Sequence, residues 1–133
     1  MRTAVDSSVL LDVVLDDPRH ADRSEAALRV AASTGALLVG ECVLAEIAPA
    51  LGVGRLEEFL TDWELQFVPS TRQSATLAGE MFAVYLKRRA GRATRVLPDF
   101  LIGAHAKHTA DRLLARDRGY YRDYFRDLEV ISP

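Results

Sequence analysis

VLPDFLIGAHAKHTADRLLARDRGYY, residues 96–121, is the stretch whose reading sets the fold. Pro98 ends whatever precedes it. Asp99 stands where a helix N-cap belongs, because a short acidic side chain accepts bonds from the free N–H groups there. Residues 100–109 carry apolar side chains on more than one face, which predicts a well-buried helix. Residues 112–116, RLLAR, are a short apolar run that predicts a buried strand, with Asp117 at its end. One acid opens a helix and another closes a strand. In a doubly wound α/β sheet both kinds of position lie along the carboxyl edge, where ligands bind.

The rest of the chain repeats the alternation. Strands are expected at residues 2–6, 37–39, 65–68 and 128–131, each short and apolar. Ser7 or Ser8 can cap a first helix that runs to Leu15, with Asp6 as the other candidate cap. Further helices are expected at 20–33, ended by Gly35, at 41–51, at 55–63 and at 70–90, the longest. Pro49 should kink or shorten the 41–51 helix. Residues 118–126 read as an irregular turn rich in Tyr and Arg. Strand–helix alternation from end to end argues for an α/β sandwich around a parallel sheet.

At 133 residues the chain is one domain, 1–133, large enough for a real core. No apolar run approaches the roughly 20 residues of a membrane-spanning helix, so no membrane association is expected. Asp6 and Asp12 interrupt the apolar N-terminal stretch, which argues against a secretory signal. Cys42 is the only cysteine, and this fits a reducing, cytoplasmic setting. The net charge of −2 conceals an asymmetry. Residues 1–86 hold six basic and thirteen acidic side chains; residues 87–126 hold eleven basic and four acidic. An acidic half beside a basic half suits a metal in one region and phosphate next to it. The plainer alternative is that the Arg-rich segments are simply solvated.

Three acids fall at the carboxyl edge on this reading: Asp6, Asp99 and Asp117. Glu46 is a fourth, on the helix after the second strand and beside its apolar stripe. Half-buried carboxylates are costly unless paired or bound to a cation. A divalent cation would relieve their mutual repulsion. All-oxygen donors suit Mg2+ or Mn2+ rather than zinc. Such a site activates water and stabilises the charge that develops in phosphodiester cleavage. Singly, each acid has a duller explanation: a cap, a turn residue or a solvated side chain. Their conjunction is what carries the reading.

The segments Val5-Asp6-Ser7-Ser8-Val9-Leu10-Leu11, Val43-Leu44-Ala45-Glu46-Ile47, Pro98-Asp99-Phe100-Leu101-Ile102-Gly103-Ala104-His105-Ala106 and Leu113-Leu114-Ala115-Arg116-Asp117-Arg118-Gly119-Tyr120-Tyr121 together resemble PIN-domain ribonucleases. Within them the chain looks most like the VapC-type toxins of type II toxin–antitoxin pairs. The resemblance spans essentially the whole chain. It implies a three-layer α/β/α sandwich with a four- to five-stranded, mainly parallel sheet. It implies a Mg2+- or Mn2+-dependent endoribonuclease acting on structured RNA such as transfer or ribosomal RNA, neutralised by a VapB-type antitoxin. The family's four acids map to Asp6, Glu46, Asp99 and Asp117 as catalytic and metal ligands, and its hydroxyl residue to Ser7 or Ser8. Many relatives carry Thr or Ser just before the fourth acid; this chain has Ala115-Arg116.

Around these acids, Arg88, Arg89, Arg92, Arg95 and Arg118 can hold RNA phosphates at the pocket rim. Tyr120, Tyr121, Tyr124 and Phe125 can stack on unpaired bases or, equally, cover the sheet edge. His105, His108 and Asp111 are spaced by three and can share a helix face as ligands, although surface or capping roles suit them better. The helices at 20–33, 41–51 and 55–63 carry more apolar residues than one core needs. In the resembling family this region takes the antitoxin's helix. A homodimer is expected through the 70–90 helix or its neighbours. The competing classes are a catalytically inactive PIN-fold RNA- or protein-binding module and a DNase on the same scaffold.

Overall fold

The computed structural model describes residues 1–88, 96–116 and 119–133. Its elements in chain order are β1 (Arg2–Val5), α1 (Ser7–Val14), α2 (Ala21–Thr34), β2 (Ala36–Val39), α3 (Glu41–Leu51), α4 (Val53–Asp62) and β3 (Leu65–Phe67). They continue as α5 (Arg72–Arg88), α6 (Leu97–Thr109), β4 (Arg112–Leu114), α7 (Gly119–Tyr124) and β5 (Glu129–Ile131). The strands form a single parallel sheet in the order β3-β2-β1-β4-β5. Ala4 lies between Leu38 and Leu113, and Leu114 pairs with Ile131.

The chain moves outward from β1 to β3 through α1–α4, then returns to β4 and β5 through α5–α7. Right-handed crossovers in opposite directions put helices on both faces of the sheet. The result is the three-layer α/β/α sandwich, with five strands, all parallel. The direction reverses between β1 and β4. A crevice therefore opens at the carboxyl ends of those two strands, and the Asp6 N–H reaches Leu114 O there at 2.9 Å.

The strands read as unbroken apolar runs because both faces are covered. Val5, Leu38, Val39, Leu113 and Leu114 are fully buried, neighbours along a strand facing opposite sides, and Val9, Leu10, Leu28 and Ile47 join the core from α1, α2 and α3 on one face. On the other face Phe100 meets Phe82, Tyr85, Tyr124 and Phe125 at ring-centroid distances between 5.2 and 6.2 Å. Gly35 turns the chain from α2 into β2 with φ 156°, and a Cβ there would sit 1.8 Å from Met1 O. Only glycine closes that corner.

Four sequence expectations change. Asp99 is not the cap of its helix: Val96 is, α6 begins at Leu97, and Asp99 lies in its first turn. Pro98 is accepted inside that turn because its missing N–H has no intrahelical partner to lose. Neither Ser7 nor Ser8 caps α1; both are already helical, and Asp6 is the cap. Pro49 does not shorten α3, which runs to Leu51; so close to the helix end, few backbone bonds are lost. Part of the supposed irregular turn is a helix, α7, which the four-residue spacings Tyr120–Tyr124 and Tyr121–Phe125 match. Residues 89 and 90, the end expected for the long helix, and the basic stretch 92–95 lie outside the described residues.

Candidate active site

Asp6 leaves β1 and caps α1, so its carboxylate points along the first turn of that helix. Its Oδ2 accepts the Ser8 N–H at 3.1 Å and, more tightly, the Ser8 hydroxyl. Its Oδ1 accepts the Tyr121 hydroxyl at 2.8 Å. Ser7 turns the other way and donates to Glu46 Oε1 at 3.1 Å. The adjacent serines thus serve different carboxylates, because successive helical residues point about 100° apart. The question of which serine supports the site has a divided answer.

Asp6 and Asp99 line one cavity of about 30 Å³ together with Tyr120 and Tyr121. That is room for about one water or one ion. Asp99 reaches it from the first turn of α6, where the helix dipole favours negative charge. Glu46 stands outside the lining and is exposed rather than half-buried as a residue. Its carboxyl group still lies above the ordinary carboxylate range, through loss of water contact and then through the charge of Asp6, with the Ser7 bond opposing. The Cys42 thiol responds to the same charges: burial, then Glu46, Glu41, Asp99 and Asp6 push it up to about 11. This thiol is inert at neutral pH. Tyr121 is likewise held in its protonated form, by burial and by Asp6, Asp99 and Glu46. Two separate groups therefore feel Asp6, Asp99 and Glu46 as one negative neighbourhood.

Asp117 and Arg118 lie outside the described residues, as do Arg89, Arg92 and Arg95. Arg88 is the last described residue of α5, with its guanidinium 5.2 Å from the Tyr124 ring centroid. His105 is buried, its Nε2 2.6 Å from Val68 O, and Asp111 accepts the Arg2 N–H at 2.7 Å. His105 is therefore a buried core residue rather than the surface or capping residue expected, and Asp111 lies beyond the end of α6 and not on a shared helix face. Sequence reading missed the part of Tyr121, which it placed in an irregular turn. The helical spacing of 120, 121, 124 and 125 was the signal that one of these tyrosines faces inward.

Among the described residues no three His, Cys, Asp or Glu side chains stand close enough to hold an ion alone. The donors at the cavity are nevertheless all oxygen, and Mg2+ commonly takes only one or two carboxylates and keeps its waters. Asp6 and Asp99 fit that pattern. Arg116 closes one side of the crevice, its N–H donating to Ser8 Oγ at 3.2 Å.

An acidic cavity at the switch point of this sheet defines a class, and sequence agrees: the chain belongs to the PIN domain family, whose profile matches residues 3–125. Solved structures share the fold over nearly the whole chain. The VapBC2 complex of Rickettsia felis, bound to a promoter DNA fragment, superposes with TM-score 0.74 at 17% identity, covering 100% of this chain and 99% of that one. FitAcB of Neisseria gonorrhoeae gives 0.66 at 17%, over 97% and 96%. VapC20 of Mycobacterium tuberculosis, a sarcin-ricin loop cleaving toxin, gives 0.61 at 13%, over 96% and 98%. No curated protein matches the chain in sequence. No helix among the described residues is long and apolar enough to cross a membrane.

Proposed function

We propose that the protein is the toxin of a type II toxin–antitoxin pair, a Mg2+- or Mn2+-dependent endoribonuclease of the VapC type. The observation that carries the reading is the convergence of Asp6 and Asp99 on one cavity at the β1–β4 switch point, with Glu46 close enough to be perturbed by Asp6. The divalent cation, when bound, neutralises charge on the scissile phosphate and lowers the pKa of water. Asp6 and Asp99 would hold it, and Asp117, next after Arg116, would complete the shell directly or through water. Glu46, supported by Ser7, would orient the attacking water and take its proton. Tyr120 and Tyr121 wall the cavity from bulk solvent. Arg88, Arg89, Arg92, Arg95 and Arg118 grip the RNA and do no chemistry.

The partner follows from the same kinship. A VapB-type antitoxin would lay an apolar helix on the α2–α4 side. Val30 and Val53 are 64% and 90% exposed there, well beyond what a closed core leaves in water. A homodimer and a cytoplasmic site of action belong to the same reading.

The test is cleavage of structured RNA with added Mg2+ and with chelator as the control. Asp99→Asn is expected to abolish cleavage while leaving RNA affinity nearly intact, because amide and carboxylate share a shape and only the charge is lost. Cleavage by Asp99→Asn at the parent rate would overturn the metal-site mechanism and favour a binding module on the PIN scaffold.

A further inference from the structure

We propose that Tyr121 is a positioning residue of this site: its buried hydroxyl, 2.8 Å from Asp6 Oδ1, leaves Asp6, among the described residues, a single oxygen lone pair with which to hold a divalent cation. The inference rests on the nuclease reading above and deepens it.

The argument is a count of acceptor sites. An ionised carboxylate offers about four lone-pair directions. The Ser8 N–H and hydroxyl both go to Oδ2, and Tyr121 takes one side of Oδ1. Among the described residues one direction remains, on Oδ1, and Asp6 lines the cavity that Asp99 also lines. Asp6 is thus restricted to a single-oxygen contact in a fixed direction. Were Tyr121 absent, both sides of Oδ1 would be open and only Ser8 would restrain the carboxyl plane.

The hydroxyl could instead be a buried polar group that merely found a partner. Three observations speak against that. Tyr121 is 3% exposed, yet its partner is a side chain at the cavity rather than a nearby backbone carbonyl. The bond spans 115 residues, so it depends on α7 being docked over the crevice. Tyr121 itself lines the cavity, so the group that orients the ligand also limits solvent around it. Hydrogen bonds from outside the ligand set govern ligand direction and basicity, and their removal typically weakens metal affinity about 10- to 100-fold.

The experiment measures Mn2+ affinity calorimetrically on the full chain, with the metal alone as probe. Tyr121→Phe keeps the ring and removes one oxygen; it should fold cooperatively and bind Mn2+ about 10-fold or more weakly. Para-aminophenylalanine at position 121 restores a donor at the same place and should recover most of the affinity. A purely structural hydroxyl predicts the opposite: a lower unfolding midpoint without metal, and unchanged Mn2+ affinity. If the parent binds Mn2+, Asp99→Asn does not, and Tyr121→Phe binds like the parent, the inference is overturned while the nuclease reading stands. If Tyr121→Phe is weakened but the amino variant is equally weak, the donor is not the cause and the inference again fails. If the parent binds no Mn2+, the metal reading itself is overturned and the inference goes with it.

Discussion

Asp12 accepts Arg116 Nε at 3.0 Å across 104 residues, and the same Asp12 oxygen accepts Ser24 Oγ at 2.7 Å. Asp12 is 3% exposed, Ser24 is fully buried, and the Arg116 side chain is 41% exposed. This contact ties α1 and α2 to the segment leaving β4, where the Arg116 N–H also meets Ser8. Asp12→Ala strands a buried hydroxyl and a half-exposed guanidinium. Loss of a fully buried partner costs about 3–5 kcal/mol, but water can reach Arg116, so about 2 kcal/mol is expected. Urea unfolding should show a lower midpoint with unchanged slope. Asp12→Asn, which can still accept from Ser24, should lose less. A loss within about 0.5 kcal/mol for the alanine variant would show that the contact does not hold the crevice together.

Gly103 lies in the middle of α6, where alanine would ordinarily gain about 1 kcal/mol of helix propensity. Here a Cβ would lie 2.6 Å from the Phe125 ring. That ring is 2% exposed and packed on Phe100, so it has nowhere to go. Overpacking costs about 1–3 kcal/mol and should outweigh the propensity gain. Gly103→Ala is therefore expected to lower the thermal midpoint. Adding Phe125→Leu should make the alanine less harmful than it is alone, a positive coupling in a double-mutant cycle.

Glu46 carries a pH signature. Its pKa in the folded chain is raised, so the folded state prefers it protonated. The stability it contributes is present below its unfolded value of about 4.5 and is lost as pH rises through the folded value. Ser7→Ala removes the bond that opposes the rise, which should push the group higher and extend that loss to higher pH. Glu46→Gln should remove the dependence. Because Glu46 is largely exposed, the effects should stay within about 0.5 kcal/mol. Midpoints measured with chelator between pH 4 and 8 decide it; identical profiles for parent and Glu46→Gln would contradict the assignment.

Arg88, now stacked over Tyr124, and Arg92 are the pair to remove for RNA affinity. Alanine at both should weaken binding similarly across sequences. Each lost phosphate contact should reduce the slope of log affinity against log salt by about 0.7–0.9, so about 1.5 for the pair. Filter binding over a salt series measures this. An unchanged slope would place the RNA elsewhere on the surface.

Much of this protein is written locally. Short apolar runs such as Leu37-Leu38-Val39 and Arg112-Leu113-Leu114 became strands, and the helices between them fell within a few residues of their expected ends, because periodicity is decided by neighbours along the chain. The placement of Asp6 just beyond β1 and of Asp99 near the start of α6 was legible for the same reason, although Asp99 falls within the first turn and not at the cap: each acid is attached to an element whose direction is known. What the sequence could not determine is which side chains meet across the crevice. The Tyr121–Asp6 and Arg116–Asp12 bonds span 115 and 104 residues, and they exist only because β1 and β4 are adjacent in the sheet. Ser7 meets Glu46 only because α3 packs beside α1, whereas Ser8 bonds Asp6 two residues away in the chain. Propensity sets each element with its own neighbours, whereas the choice of distant partner is made only when several elements pack at once, and that choice belongs to the tertiary structure.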